Sequence, residues 1–288
     1  MSSSASLSCD GPRGVTRRVP SIKTAEPDGF EVRCPFPTMA VDHIDPFLLL
    51  HHLGPLPIRP GPGQDGPHHP HLGVETLTYV LRGELTHRNA NGAGGTIEEG
   101  SAQWLTAGDG VVHAENPSAR MRAEGGTLEA VQVWINLPAG RKKLHAAEQA
   151  LVVDDLPLVA TTGGTVKLIA GDAFGVHGPA VTQTPLLVAH VSVWENQWID
   201  VPAPTGHNAV TYCLRGRDEG MLTIFDGDGD VVRVHAGRLP AEVLVLVGRP
   251  LREPIARYGP FVLSTRDELM DAIEDYQYGR MPGQPGPS

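Results

Sequence analysis

Three histidines precede an apolar segment in the stretch GPHHPHLGVETLTYVLRG, at positions 66–83. The segment alternates and is rich in β-branched residues, which predicts a β-strand. Because successive side chains of a strand point to opposite faces, His69 and His71 would share one face while His68 points away. Two imidazoles on one face could bind a metal ion. Solvated surface histidines would give the same pattern, so this pair alone leaves both interpretations open.

A second polar pair, His113 and Glu115, stands two residues apart in the strand-like sequence VVHAENP. These two side chains would also share a face. Taken alone, a surface ion pair would explain them, but together with the first pair they favour a metal site. Three imidazoles and one carboxylate suit iron(II), and also copper, manganese, nickel or zinc. Four protein ligands on an octahedral metal leave positions for water, substrate or O₂.

Other side chains compete for a role at this site. Glu75 follows His71 at i+4, on the same face if the strand is regular, so it is the alternative carboxylate ligand. The remaining candidates lack the paired spacing, and we expect them to be solvated or at the edge of the core: His43, His51, His52 and His87.

Composition limits the class of protein. The 288 residues suffice for one large or two ordinary domains, and 34 glycines and 26 prolines separate many short apolar runs, as in a turn-rich β protein. A formal net charge of −10, without a long basic run, argues against direct binding to nucleic acid or to an anionic membrane.

Cysteine usage and the N-terminus indicate a compartment. Cys9, Cys34 and Cys213 form neither a disulfide framework nor a thiolate cluster, which favours a reducing environment. The first residues lack an apolar core of signal-peptide length, and no apolar run reaches the length of a membrane span. We therefore expect a cytoplasmic protein.

An internal repeat predicts two similar β domains. ETLTYVLRGEL (75–85) is echoed by NAVTYCLRGRD (208–218), at a constant offset of 211 − 78 = 133. The same offset places Pro202 and Pro204 where the first copy has its HPH histidines. The second copy therefore keeps the strand and turn without the imidazoles, which favours a metal site in the first copy only.

The repeat also suggests domain boundaries. We expect a disordered tail at 1–14, a metal-binding domain at 15–145, and a domain without a metal site at 146–288. One helix closes the chain, with Thr265 as N-cap and Glu268 completing a capping box. Its apolar stripe and its glycine stop follow at helical spacing: Leu269, Ile273, Tyr276 and Gly279.

The sequence resembles the pirins, a branch of the cupin superfamily, over nearly its whole length. The resemblance rests on DPFLLLHHLGP (45–55), HPHLGVETLTYVLRGEL (69–85), IEEGSAQWLTAGDGVVHAENP (97–117), VQVWINLP (131–138), PIARYGPFVLST (254–265) and AIEDYQYGR (272–280). It implies a mainly β bicupin: two antiparallel jelly-roll β-barrels packed face to face, with a short C-terminal helix. The N-terminal barrel of a pirin holds one metal, usually iron, and the C-terminal barrel is empty.

The resemblance also implies the ligands, which are the residues of the HPH and HAE motifs: His69, His71, His113 and Glu115. The general cupin pattern would instead take its carboxylate from Glu75. Two positions depart from the pirin pattern, because Leu72 and Val74 stand where pirins usually have arginine and phenylalanine. We expect these departures to change the size and polarity of the pocket near the metal.

Several bacterial pirins resemble quercetin 2,3-dioxygenases, which implies a function. A flavonol would chelate the metal, Glu115 or Glu75 would accept its proton, and reaction with O₂ would open the central ring and release carbon monoxide. Tyr79, Gln103 and Trp104 could line the pocket, although a core role is commoner. The alternative is a regulator that senses metal and redox state and acts by binding another protein, since the same ligands suffice for both.

Overall fold

The structure, a computed structural model, describes residues 11–25, 30–62, 65–90, 92–282 and 284. Its strands are β1 Val15–Pro20, β2 Ile22–Ala25, β3 Glu31–Phe36, β4 Phe47–Ile58, β5 His69–His71, β6 Val74–Arg82, β7 Glu84–Asn89, β8 Gly94–Glu98, β9 Ala102–Thr106, β10 Val111–Pro117, β11 Gly126–Asn136, β12 Ala147–Leu151, β13 Leu158–Thr161, β14 Gly164–Ala173, β15 Val176–Pro179, β16 Leu186–Val193, β17 Trp198–Pro202, β18 Asn208–Arg215, β19 Met221–Phe225, β20 Val231–His235, β21 Ala241–Gly248, β22 Ala256–Tyr258 and β23 Phe261–Leu263. Its α-helices are α1 Ala119–Glu124 and α2 Arg266–Gln277, and its 3₁₀ helices are Ala139–Arg141 and Val153–Asp155. The protein is mainly β, as the sequence predicts. Within the described ranges, no helix is long and apolar enough to cross a membrane.

The chain divides into two compact units, and neither is continuous in sequence. The first unit contains Ser21–Leu156, Pro179–Pro185 and the described residues from Leu251 onward. The second unit contains the described residues up to Pro20, Pro157–Gly178 and Leu186–Pro250.

The two terminal segments do not follow the predicted division of the chain into domains at 15–145 and 146–288. Strand β1 pairs with β19 and belongs to the second unit. Helix α2 belongs to the first unit, where Tyr276 packs against Phe261 with ring centroids 5.7 Å apart. The internal repeat could not indicate this exchange, because it matches only β6 with β18 and carries no information about the terminal segments.

The predicted disordered tail is wrong for residues 11–14, while residues 1–10 lie outside the described part of the chain. Arg13 is only 4% exposed. Its guanidinium donates hydrogen bonds to five backbone carbonyl oxygens of the second unit: Ala203, Pro204, His207, Asp226 and Gly229. A buried cation requires such acceptors, so this segment is anchored by polar contacts that apolar periodicity does not reveal.

The first unit is built from antiparallel sheets. A seven-stranded sheet has the order β12-β9-β6-β11-β4-β3-β2, a four-stranded sheet has the order β5-β10-β7-β8, and β22 pairs with β23. The hydrogen-bonded path of each sheet is open, so the expected barrel takes the form of separate jelly-roll sheets. In the smaller sheet, β10 pairs with β5 on one side and β7 on the other, which brings the HPH and HAE motifs together.

The second unit repeats this plan without the histidines. Strand β18 lies between β19 and β21, as β6 lies between β9 and β11. The turn glycines that end both copies, Gly83 and Gly216, have φ of +79° and +128°. The interior of this unit is a cluster of valine, alanine, leucine and isoleucine side chains. The repeat therefore reproduces the strands and turn, while its interior is apolar.

Helix α2 begins and ends as predicted. The Thr265 hydroxyl accepts from the Glu268 amide at 3.2 Å, and the Glu268 carboxylate accepts from the Thr265 amide at 3.0 Å, which completes the capping box. Leu269 is buried, and Gly279 has φ of +69° just after the helix. Both predicted helix signals are therefore confirmed.

We expect Thr265→Ala to lower the free energy of unfolding by about 1 kcal/mol, because the helix loses the side-chain acceptor of its first turn. Urea denaturation checks this value. Thr265→Ser keeps a hydroxyl at the cap and should stay close to the wild type. Equal stability of all three proteins would show that the capping box contributes nothing measurable.

Candidate metal centre

Three imidazoles converge because two short strands pair in register. His69 on β5 lies opposite His113 on β10, and His71 shares the face of His69. One ring nitrogen of each residue lies within 4.8 Å of one from each of the others. The ring centroids are 4.6 to 5.0 Å apart, and the rings are mutually edge-on. In the part of the chain that the structure describes, this is the one group of three or more potential metal ligands.

Three buried ring nitrogens of this group lack a hydrogen-bond partner among the described residues. His71 and His113 are each 1% exposed. Neither Nδ1 nor Nε2 of His71 has a hydrogen-bond partner among the described residues, and the same holds for Nε2 of His113. Leaving buried polar atoms unpaired costs free energy, and a metal ion bound here would engage one nitrogen of each ring. Three imidazole nitrogens this close together fit a divalent transition metal.

Burial affects the protonation of two of the three imidazoles, His71 and His113. Burial, with a further contribution from the neighbouring histidines, lowers the pKa of both His71 and His113 well below the ordinary value. A metal ion binds the lone pair of a neutral imidazole, so these two side chains do not have to lose a proton first.

Glu115 lies beside the three histidines but outside the group itself. Its Oε1 accepts a hydrogen bond of 2.8 Å from the Thr78 hydroxyl, and its Oε2 accepts one of 3.0 Å from the Gln132 amide. The Gln132 oxygen in turn accepts from Trp134 Nε1 at 3.0 Å, which orients the amide. The carboxylate therefore has a defined position next to the candidate metal ligands.

Glu75, the alternative carboxylate, does not share the face of His71. The strand is interrupted at Gly73, whose φ is +77° and where a Cβ would lie 1.8 Å from the Val262 carbonyl oxygen. The condition of a regular strand from His71 to Glu75, on which the alternative ligand depends, is therefore not met.

The oxygens of Glu75 are engaged elsewhere. They accept hydrogen bonds from Trp104 Nε1 at 2.9 Å, Thr106 Oγ1 at 3.1 Å and the Gln183 amide at 3.1 Å. Burial raises the pKa of this carboxyl, and the hydrogen bonds oppose that shift. Glu75 is thus part of a buried structural network on the outer face of β6.

A cavity of about 320 Å³ opens beside the histidines. Its lining is largely apolar and comes from the first unit alone: Phe30, Val32, His51, Leu53, Pro67, His69, His71, Thr78, Leu85, Glu115, Ala130, Val131, Gln132, Trp134, Arg257, Gly259 and Pro260. Trp134 packs edge-on against His71 at 4.8 Å, and the Arg257 guanidinium lies 5.2 Å from the Trp134 ring. The cavity therefore offers one aromatic wall and one positive charge near the imidazoles.

The three suggested pocket residues do not line this cavity. Tyr79 and Trp104 share the outward face of Glu75, by strand alternation and by the pairing of Trp104 with Leu77. Gln103 pairs with Thr78 but does not reach the cavity lining. All three side chains are buried.

A fourth histidine, His87, lies next to the group. His87, expected at the surface or core edge, is 1% exposed. Its Nδ1 lies 3.0 Å from His113 Nδ1, and its Nε2 lies 3.1 Å from Glu148 Oε1. A signal was present, because His87 and Asn89 repeat the i, i+2 spacing of the other polar pairs. His52 is also buried, and its Nε2 forms a hydrogen bond with the Glu129 carboxylate. His51 lines the cavity.

Two antiparallel units of jelly-roll type, one with a histidine cluster beside a cavity, define a two-domain cupin. Comparison with known proteins agrees. Residues 29–135 match the model of the family described as Pirin, and residues 188–282 match that of the Pirin C-terminal cupin domain. The chain therefore belongs to the pirin family.

Individual relatives span the whole fold. The chain is 41% identical, over 88% of its length and 92% of the other, to a Pseudomonas aeruginosa protein provisionally named quercetin 2,3-dioxygenase. It is 32% identical to the human protein named pirin, over 91% of this chain and 92% of that one. A crystal structure of quercetin 2,3-dioxygenase from Acinetobacter baumannii superposes with a TM-score of 0.89 at 33% identity, covering 94% of this chain and 99% of that chain.

Proposed function

We propose that the protein is a metal-dependent dioxygenase, with iron(II) as its metal, that cleaves flavonols such as quercetin. The observation that carries the proposal is the set of three converging imidazoles with unpaired nitrogens, beside an apolar cavity of about 320 Å³. The relatives named quercetin 2,3-dioxygenase support the same reaction class.

In this proposal His69, His71, His113 and Glu115 hold the metal. When bound, a divalent metal would supply Lewis acidity and open positions for an anionic oxygen ligand. Glu115 also accepts the proton of the flavonol hydroxyl at one carboxylate oxygen. Thr78 and Gln132 keep that carboxylate oriented by donating to its two oxygens.

The cavity supports a planar aromatic substrate. Trp134 offers a ring face and edge, and the apolar side chains Leu53 and Val32 would contact the outer rings of a flavonol. Arg257 contributes a positive charge to the same lining, which favours the deprotonated flavonol over the neutral form. The largely apolar walls exclude water from the reacting ring.

A direct assay tests the proposed reaction. Iron-loaded protein is mixed anaerobically with quercetin, the absorption band is recorded, and O₂ is then admitted while carbon monoxide is measured. We expect a shifted band before O₂ and carbon monoxide afterwards, neither of which should occur with metal-free protein. Metal-loaded protein that gives neither signal, but captures a protein partner only in one iron redox state, would favour the regulatory function instead.

We also propose a cytoplasmic location. Cys34 and Cys213 are buried free thiols in the structure, which is typical of proteins from reducing compartments. A flavonol-cleaving iron(II) protein would keep its metal reduced most readily there.

A further inference from the structure

We propose that Glu148 and His87 select the tautomer of His113 and so present Nε2 of His113 as a metal ligand. This inference rests on the metal-binding part of the proposed function. It assigns a positioning role to two residues that lie behind the ligand and would not contact the metal themselves.

Strand pairing brings Glu148, His87 and His113 into one hydrogen-bonded chain. In the β7–β10 ladder, Asn89 lies opposite His113, and His87 lies opposite Glu115. All four side chains therefore point to the same face of the small sheet. Glu148, on β12, reaches the far side of the His87 ring at 3.1 Å.

Donor and acceptor rules determine the protons along this chain. An ionised carboxylate can only accept, so Nε2 of His87 carries the hydrogen that faces Glu148. In the proposed chain this is the single ring hydrogen of His87, so its Nδ1 has a lone pair and accepts. The hydrogen bond of 3.0 Å between the two Nδ1 atoms therefore requires His113 to donate from its Nδ1. Nε2 of His113 is left with a lone pair.

Two observations indicate that Glu148 is the ionised end of the chain. The side-chain amide of Asn89 donates from Nδ2 to the same Glu148 oxygen, Oε1, that faces His87. The hydrogen bond from His87 is the largest of the effects that lower the pKa of Glu148, with a further contribution from Asn89. A carboxylate that receives two donors does not offer a proton of its own.

The resulting tautomer is the one that the candidate metal centre needs. His113 Nε2 is the nitrogen without a partner among the described residues, and it belongs to the imidazole that faces both His69 and His71. A histidine that binds a metal commonly donates its other N–H to such a partner, which fixes ring orientation and raises ligand basicity. Here the partner is a second histidine, itself held by a carboxylate.

The test measures tautomers directly in full-length, metal-free protein. With ¹⁵N-labelled histidine, two-bond proton–nitrogen correlations distinguish Nδ1-protonated from Nε2-protonated rings. We expect Nδ1 protonation for His113 and Nε2 protonation for His87 in the wild type. In Glu148→Ala the His113 ring should lose its single tautomer, and iron(II) affinity should fall about 10- to 100-fold. Glu148→Asp should retain part of both properties.

His145→Ala is the matched control, because His145 also pairs with a carboxylate, Asp109, but is exposed on the surface of the same unit. In His145→Ala, the tautomers of His113 and His87 and the iron(II) affinity should match those of the wild type. Nε2 protonation of His113 in the wild type would overturn the inference, as would unchanged iron affinity in Glu148→Ala. Failure of the wild type to bind iron would count against the proposed function, while the tautomers of the metal-free protein would still test the hydrogen-bond chain.

Discussion

Replacing His71 with alanine should abolish stoichiometric iron binding and carbon monoxide release from quercetin. His71 is buried between His69, His113 and Trp134, and neither of its nitrogens has a protein partner in the described structure. Among the described residues, the group of potential metal ligands contains only His69, His71 and His113, so no further member of it can take the place of His71. The loss of affinity should exceed the roughly 100-fold expected for a residue behind a ligand.

The measurement is metal content after dialysis, together with carbon monoxide yield. His43→Ala is the control, since His43 is an exposed histidine of the same unit that pairs with Asp42. It should bind one iron per chain and release carbon monoxide like the wild type. Full iron occupancy in His71→Ala would show that the three histidines are not the site.

Glu115→Gln and Glu75→Gln should have opposite consequences. Glu115 lies in the cavity lining, so losing its charge should weaken metal binding and lower kcat by about 10²- to 10⁴-fold through loss of the proton acceptor. Glu75 instead accepts three hydrogen bonds in a buried network. The NH₂ group of a glutamine there would face one of these donors, so a buried hydrogen bond would be lost. We expect the free energy of unfolding to fall by about 1–3 kcal/mol and the metal to stay bound.

Iron content, carbon monoxide kinetics and urea denaturation of the two variants separate these outcomes, since each variant is the control for the other. Metal loss in Glu75→Gln, with retention in Glu115→Gln, would show that the protein follows the general cupin ligand pattern. In that case Glu115 would be an ordinary hydrogen-bonded residue of the cavity wall.

The strands that carry the candidate metal ligands could be predicted from the sequence because strand geometry is simple. Alternation places His69 and His71 on one face, and the same rule applies to His113 and Glu115. The structure brings His69, His71 and His113 close together, and their role as metal ligands stays a prediction. The capping box of α2 was predictable for a similar reason, since it depends on residues three positions apart.

Other features depend on long-range pairing, which spacing does not reveal. The role of Glu75 changes because Gly73 interrupts the strand, and that glycine is required by the close approach of the Val262 carbonyl from β23. The buried position of His87 cannot be read from spacing, because its partners, His113 and Glu148, are distant in sequence. The wall formed by Trp134 and Arg257 likewise joins two remote segments.

The most direct test of the metal centre is an anomalous-diffraction map of iron-loaded crystals, collected on either side of the iron absorption edge. We expect a single peak per chain, within bonding distance of His69, His71 and His113 and next to Glu115. We expect no peak in the second unit, whose interior is an apolar cluster. A peak at Glu75 or in the second unit, or no peak in protein that retains one iron per chain, would contradict the proposed site.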